Sequence, residues 1–257
     1  MDIPLLSLLL LCFAAFIAGF VDAIVGGGGL IQTPLSLVVM GGFPVSSVLA
    51  TMKIPSFSGT LVAAVQYVRK VTIRWKLVAV ICTVAFFSSY AGSQLLLVVS
   101  NRFMKPVLLV VLTCVAIYTF RKKNFGQRTE KELPEAKEIP RAALISLIIG
   151  FYDGFIGPGA GSFFILAYIT FLHLDFLHAS AHAKLANLAT NLGSITLFLL
   201  RGKIAWSIAL PMAACNALGG LIGARLAIAK GNRFIRAFFL VIVIATLLRF
   251  SYDVFLR

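Results

Sequence analysis

Two aspartates and two lysines stand out in a chain otherwise poor in charge. Asp22 lies in GFVDAIVGGGGLIQTP, residues 19–34, four residues before a run of four glycines. Asp153 lies in GFYDGFIGPGAGSFFI, residues 150–165, again four residues before a glycine. An ionisable side chain within an apolar segment is costly, and it is a functional candidate by default. Such a carboxylate can carry a coupling proton or cation, or it can hold a broken helix by accepting bonds from free backbone N–H groups. Lys53 and Lys184 form the second pair, each near the start of its apolar segment. Beside half-helix starts, where the dipole is positive, they would meet an anionic substrate. Their ordinary alternative is to snorkel to the headgroups. Asn187 and Asn191, four apart, share a helix face with Lys184. Gln32, Thr51 and Thr190 add polarity to other apolar stretches.

These residues are paired because the chain is written twice. The register, set by Gly19 and Gly150, is 131 residues and needs no gap. It carries Phe20 to Phe151, Asp22 to Asp153, Gly26 to Gly157, Gly28 to Gly159, Lys53 to Lys184, Trp75 to Trp206 and Gly92 to Gly223. A register that recovers Asp, Lys, Trp and several glycines marks an internal duplication. Each copy breaks an apolar run with glycines, which supply no side chain to pack and destabilise a helix. At membrane depth a break is tolerated where it is buried in protein or lines a wet cavity. Paired breaks in two halves of a transporter point to its binding site. The alternative is that the glycines only let helices pack closely. The expected substrate-binding set is therefore Gly26, Gly27, Gly28, Gly29, Gly157, Gly159, Gly161, Lys53, Lys184, Asn187, Asn191, Gln32 and Thr51, with Asp22 and Asp153 as coupling or structural carboxylates.

Composition fixes the class. Sixty percent of the 257 residues are hydrophobic and 12% are charged, about half the charge of a soluble globule. The reading is an all-α, polytopic integral membrane protein with about 8–10 membrane segments. Its net charge of +14 gathers in short loops, as expected for loops on the cytoplasmic face, and no basic domain is left for nucleic acid. The partners are the lipid bilayer, a small anion and a coupling ion, proton or sodium. Cys12, Cys82, Cys114 and Cys215 fall inside apolar runs without metal or disulfide spacing, so they read as buried hydrophobes. The apolar start of the chain lacks a basic n-region and matches 142–156 of the second copy, so it is expected to belong to the fold.

Along the chain, full-length apolar segments fall at 5–25, 48–68, 77–99, 106–120, 142–156, 182–200, 206–229 and 237–255, with half-length ones at 30–40 and 162–172. Ser46 or Ser47 is placed to cap the segment at 48. Three units follow: a first repeat over 1–120, a cytoplasmic linker over 121–141 and a second repeat over 142–257. A loop with Lys230, Arg233 and Arg236 precedes the last segment. Residues 5–40 as one helix would exceed about 50 Å, against a bilayer core of about 30 Å. Each glycine break is therefore expected to close a hairpin, which makes the two halves inverted repeats; single crossings would make them parallel, and the spread of basic residues over the loops does not decide between the two.

His173, Asp175, His178 and His182 cluster in sequence, and the last two histidines have the i, i+4 spacing of a metal pair. The chain has only three histidines, and the first copy has Gly42, Ser47 and Thr51 in their place, so no metal and no cofactor is expected. A membrane-embedded metal enzyme using this cluster is the rival to transport, and a passive anion channel is a second rival. GGGGLIQT lacks the Lys-Ser/Thr of a phosphate-binding loop, so an ion gradient rather than ATP is the expected driving force.

The stretches GFVDAIVGGGGLIQTP, ATMKIPSFSGT, GFYDGFIGPGAGSF and ASAHAKLANLATN resemble the signature regions of the TauE/SafE family of sulfite and organosulfur-anion exporters, and within it the YfcA-type branch. The resemblance covers nearly the whole chain. It implies a duplicated membrane fold in a bacterial inner membrane and a transporter of sulfur-containing anions, not an enzyme. It supplies no catalytic residues. Pro158 and Ala160 depart from a fully glycine-rich second loop, which argues against strict symmetry of the two breaks.

Overall fold

A computed structural model describes residues 4–100 and 134–255 of the chain. The expected segment 106–120, most of the linker, and Cys114 lie outside the described residues. Those that are described form eight α-helices and no strand. The first four are α1 (Leu5–Val25), α2 (Gly28–Val39), α3 (Val45–Val68) and α4 (Trp75–Val98). The others are α5 (Glu135–Phe155), α6 (Ala160–Leu172), α7 (Phe176–Leu200) and α8 (Trp206–Phe255). Five stretches, in α1, α3, α4, α7 and Trp206–Ile235 of α8, are long and apolar enough to cross a membrane, while α2 and α6 are apolar but short. Large hydrophobic side chains such as Phe13, Phe87 and Leu200 are exposed on the outer surface, as lipid-facing residues of a membrane protein are. The protein is a polytopic membrane protein.

Each glycine break closes a hairpin. Gly26 takes the left-handed conformation (φ 76°) and ends α1, a geometry that costs any residue with a Cβ. α2 then runs back along α1. Met40, just past the end of α2, clusters with Leu11 and Ala15 near the start of α1. The second break uses Gly157 (φ 96°) and Gly159 (φ 84°). There α6 returns along α5 until Arg141 Nη1 donates to the Phe171 carbonyl at 3.3 Å. Neither α1–α2 nor α5–α6 is a single crossing.

α3 and α7, which correspond in the 131-residue register, run in opposite directions. The start of α3 (Val45, Leu49, Ala50) packs with Phe198 at the end of α7. The end of α3 (Ala63, Tyr67) packs with Phe176 and Ala179 at the start of α7. The halves also interlock: α1 packs chiefly on α8, and α5 chiefly on α4. Glycines make these crossings possible. A Cβ on Gly92 would lie 2.1 Å from the Phe151 carbonyl oxygen, and one on Gly223 2.3 Å from that of Phe20. Both contacts are backbone on glycine, and they map onto each other in the 131-residue register.

Several boundaries differ from the sequence reading. α3 starts after Pro44, which has no side-chain cap. Ser46 and Ser47 lie within its first turn rather than capping it. α5 begins at Glu135, so 135–141 is helix rather than linker. Its polar first turns are anchored by Glu138, which is buried and paired with Arg74 at 2.5 Å. The expected loop at 230–236 is a kink at the non-helical Gly231 (φ 68°, ψ −165°), where two helical stretches of α8 meet without an intervening loop. In the last two cases a tertiary contact or a single glycine supplies what the sequence reading assigned to a linker or a loop.

The crossings yield a test. Gly92→Leu and Gly223→Leu should each cost at least about 1–3 kcal/mol by overpacking against backbone that cannot yield. Gly42→Ala should stay within about 0.5 kcal/mol, because nothing lies within 4 Å of its built Cβ. Thermal midpoints of the purified protein in detergent measure both, and equal shifts would refute the close-crossing account.

Candidate functional site: two crossed ion pairs at the meeting of the hairpin tips

A helix that ends inside a membrane leaves carbonyl groups without partners. Several carbonyls at the end of α1 are met from elsewhere in the chain. Tyr67 Oη donates to the Ala23 carbonyl at 3.0 Å and Ser162 Oγ to the Val25 carbonyl at 2.8 Å. The Ser162 backbone N–H donates to the Gly26 carbonyl at 3.0 Å. That bond joins the tip of one hairpin to the tip of the other, so the two glycine clusters lie against each other.

The lysines complete the same accounting crosswise. Lys53 Nζ of α3 lies 2.9 Å from Asp153 Oδ1 and donates to the Asp153 carbonyl at 2.7 Å. Lys184 Nζ of α7 lies 2.8 Å from Asp22 Oδ2 and also donates to the Asp22 carbonyl. Each lysine thus reaches the aspartate of the other half and one of its helix-terminal carbonyls. The sequence reading placed the lysines beside half-helix starts. Instead they sit at the C-terminal ends of α1 and α5, where the dipole is negative and a cation is stabilised. Neither snorkels, for Lys53 is 8% exposed and Lys184 1%.

The two aspartates are not equivalent. Asp22 Oδ1 accepts from the Gly28 backbone N–H at 3.4 Å, so it caps the start of α2, and Thr60 Oγ1 lies 3.5 Å from its other oxygen. Asp153 was expected to accept from N–H groups of its own loop as well. Its carboxylate is instead met by Lys53 and the Thr190 hydroxyl. The first turn of α6 faces a cleft with a cavity of about 50 Å³, which Gly159, Ala160 and Gly161 line.

Of the expected substrate-binding set, Gly26, Gly29, Gly157, Gly159, Gly161, Lys53 and Asn187 line this cleft, as do Asp22 and Asp153. Asn191 stands behind it, its Nδ2 donating to Asn187 Oδ1 at 2.7 Å, which turns the Asn187 amide N–H₂ free to point elsewhere. Lys184 is closed off beneath Asp22. Gly27 and Gly28 are not part of the lining; a Cβ on Gly28 would strike the Ala18 carbonyl at 2.4 Å, so Gly28 serves hairpin packing. Gln32 Oε1 accepts from Asn216 Nδ2 at 3.0 Å. Thr51 Oγ1 accepts from the Ala205 N–H at 3.0 Å, in the loop before α8.

Ser56 and Thr60 also line the cleft, and neither stood in the expected set. A signal was available: the 131-residue register carries Ser56 to Asn187 and Thr60 to Asn191, so both positions are polar in both copies. The histidines lie apart from the cleft. His178 Nδ1 pairs with Asp175 Oδ2 at 2.9 Å, His182 Nδ1 faces the His178 carbonyl at 2.8 Å, and His173 ends α6 with φ 57°. Among the described residues no three His, Cys, Asp or Glu groups gather as metal ligands would.

Opposed hairpins whose broken tips enclose a charged cleft within a helical membrane bundle define a membrane transport protein. The chain belongs to the sulfite exporter TauE/SafE family, whose model matches residues 11–250. It is 32% identical over 243 residues to the probable membrane transporter protein YfcA of Escherichia coli K12, covering 95% of this chain and 89% of the relative. It is 34% identical over 253 residues to a probable membrane transporter of Haemophilus influenzae, covering 98% of each. A probable membrane transporter of Sinorhizobium is 33% identical over 254 residues, covering 98% of this chain and 95% of the relative. No solved structure matches the chain.

The crossed pairs make a stability prediction. Lys184→Met should destabilise by about 3–5 kcal/mol, because it leaves the Asp22 carboxylate without its cation. The double variant Lys184→Met/Asp22→Asn should recover part of that loss. Thermal midpoints of the two single variants and the double variant measure the coupling, and strictly additive losses would show that the pair does not act as a unit.

Proposed function

We propose that the chain is a secondary transporter of small anions, driven by an ion gradient, in the cytoplasmic (inner) membrane of a bacterium. Sulfur-containing oxyanions and organosulfonates are the substrate class we favour. The observation that carries this reading is the cleft between the hairpin tips. An anion there would meet the Lys53 ammonium, the first turn of α6 with its positive dipole end, and the side-chain donors Asn187, Ser56 and Thr60. The family description, which names sulfite, supports the sulfur chemistry, and the bacterial relatives support the inner membrane. The antiparallel course of α3 and α7 and the opposed hairpins support inverted repeats, an arrangement suited to alternating access around a fixed site.

Binding of sulfite, thiosulfate and sulfoacetate to the purified protein tests the reading. Lys53→Met keeps the apolar stem and removes the charge, so it should weaken anion binding at least about tenfold, or about 1.4 kcal/mol. His178→Ala should leave binding and liposome flux unchanged. The reverse pattern, loss on changing His178 and none on changing Lys53, would overturn anion transport in favour of a histidine-based enzyme. Flux that never accumulates substrate against a gradient would identify a channel.

A further inference from the structure

The charged side chains at the hairpin tips are Asp22, Asp153, Lys53 and Lys184, and they are paired one to one. Their charges sum to zero. An anion entering this cleft adds an uncompensated negative charge beside two carboxylates, in surroundings that exclude most water. Lys184 cannot turn to meet it, being 1% exposed beneath Asp22. Lys53 can, because its ammonium faces the cleft, but only by leaving Asp153. A carboxylate abandoned there, 4% exposed, would be a buried charge without a partner.

We propose that anion binding takes up a proton on Asp153, so that Lys53 and Asp153 form a site that binds a proton and an anion together. This rests on the anion-transport reading above and names its coupling ion. The Lys53–Asp153 ion pair breaks, a proton from the medium binds the Asp153 carboxylate to give a neutral carboxyl, and the freed ammonium pairs with the anion. Charge balances at every stage: one proton enters with one anionic charge. The Thr190 hydroxyl, already against Asp153 Oδ2, remains as a partner for the neutral acid.

A sodium ion would balance charge equally well, but it fits the geometry poorly. It requires several oxygen ligands in place of water, whereas both Asp153 oxygens are engaged and the Lys53 ammonium already stands against one of them. A proton needs one lone pair. The other carboxylate lining the cleft, Asp22, keeps its own cation. α3 brings Lys53, α1 brings Asp22 across the cleft, and Asp22 is held by Lys184 of α7 and the Gly28 N–H. α4 contributes the hydroxyls of Ser89 and Ser93, which are bonded to the Thr190 and Gly154 carbonyls. α6 contributes its glycine-rich first turn and Ser162, and Tyr152, next to Asp153 in sequence, donates to the Pro158 carbonyl at 2.6 Å. His182 of α7 faces the His178 carbonyl.

Calorimetry of thiosulfate and sulfoacetate binding, run in buffers of different ionisation enthalpy, counts the protons taken up. At least one proton per bound anion is expected, with affinity rising as pH falls, by about tenfold per pH unit for each coupled proton. Asp153→Asn, which carries no proton, should lower the count by one. It should still exchange anion across liposomes while failing to accumulate it on a proton gradient. If that variant does not fold, the wild-type protein assigns the site: a protonated-carboxyl infrared band should appear on adding thiosulfate, and Thr190→Val should shift its frequency. Binding with no proton uptake, binding that requires sodium, or a band that Thr190→Val leaves in place would overturn the proton–anion site while leaving anion transport standing. No binding of either anion would overturn the transport reading itself.

Discussion

Backbone carbonyl and N–H groups must find partners inside a membrane, and this structure is arranged around the two places where its helices fail to supply them. An unbroken helix bonds its own backbone; a helix that stops at depth exposes carbonyls to a medium that cannot solvate them. In α1 these are met by Tyr67, Ser162 and Lys184, none of them from the hairpin itself. In α5 they are met by Lys53 and Ser93. The partners come from α3, α4, α6 and α7, so closing the breaks binds the bundle together. The interlocked packing of α1 on α8 and α5 on α4 brings those partners within reach, and its glycine crossings follow from the same need for close approach.

Much of this was legible in the sequence, for physical reasons that can be named. Charged residues are rare enough in an apolar chain that Asp22, Asp153, Lys53 and Lys184 identify themselves, and the register pairs them. The hairpins followed from length, since 5–40 cannot cross a 30 Å core as one helix. What the sequence did not convey was the crossing. Repeat arithmetic matches Lys53 with Lys184 and Asp22 with Asp153, and it is silent on whether a lysine reaches the aspartate of its own half or the other. That depends on how the hairpin tips pass each other, which is a tertiary fact. For the same reason the lysines were placed at helix starts, whereas the carbonyl ends of α1 and α5 are the stronger demand for a cation.

The departures from symmetry are as informative as the symmetry. Gly28 offers its N–H to Asp22, and the start of α2 is thereby closed. The matched position in the second break is Gly159, with Pro158 ahead of it and φ of 84°, and that geometry turns the first turn of α6 toward the cleft. Pro158 and Ala160 are the residues at which the second loop departs from the first. Two near-equivalent breaks can thus occupy different states in one structure, with one lysine sealed beneath its aspartate and the other lining the cleft. Gln32 and Thr51 illustrate the limit of the sequence argument in the opposite direction. Both are polar residues in apolar helices, but their hydrogen bonds join helix to helix and helix to loop, which is how most buried polar groups are satisfied.

A structural cap and a functional ligand are usually offered as competing roles for a buried charge, and here the geometry removes the opposition. Lys53 holds the end of α5 through the Asp153 carbonyl and carboxylate together. A ligand that draws Lys53 away therefore does more than occupy a cleft, because it withdraws a cation from a helix terminus and unties one half of the bundle from the other. A ligand can shift a conformational equilibrium only by its differential affinity for the two states, and a group that stabilises one state in the ligand's absence provides that difference. A lysine that merely lined the cleft would bind the anion without altering how the halves are held. On the proposed reading the same ammonium is both clamp and ligand, so occupancy of the cleft and the attachment between hairpin and core are linked through one side chain.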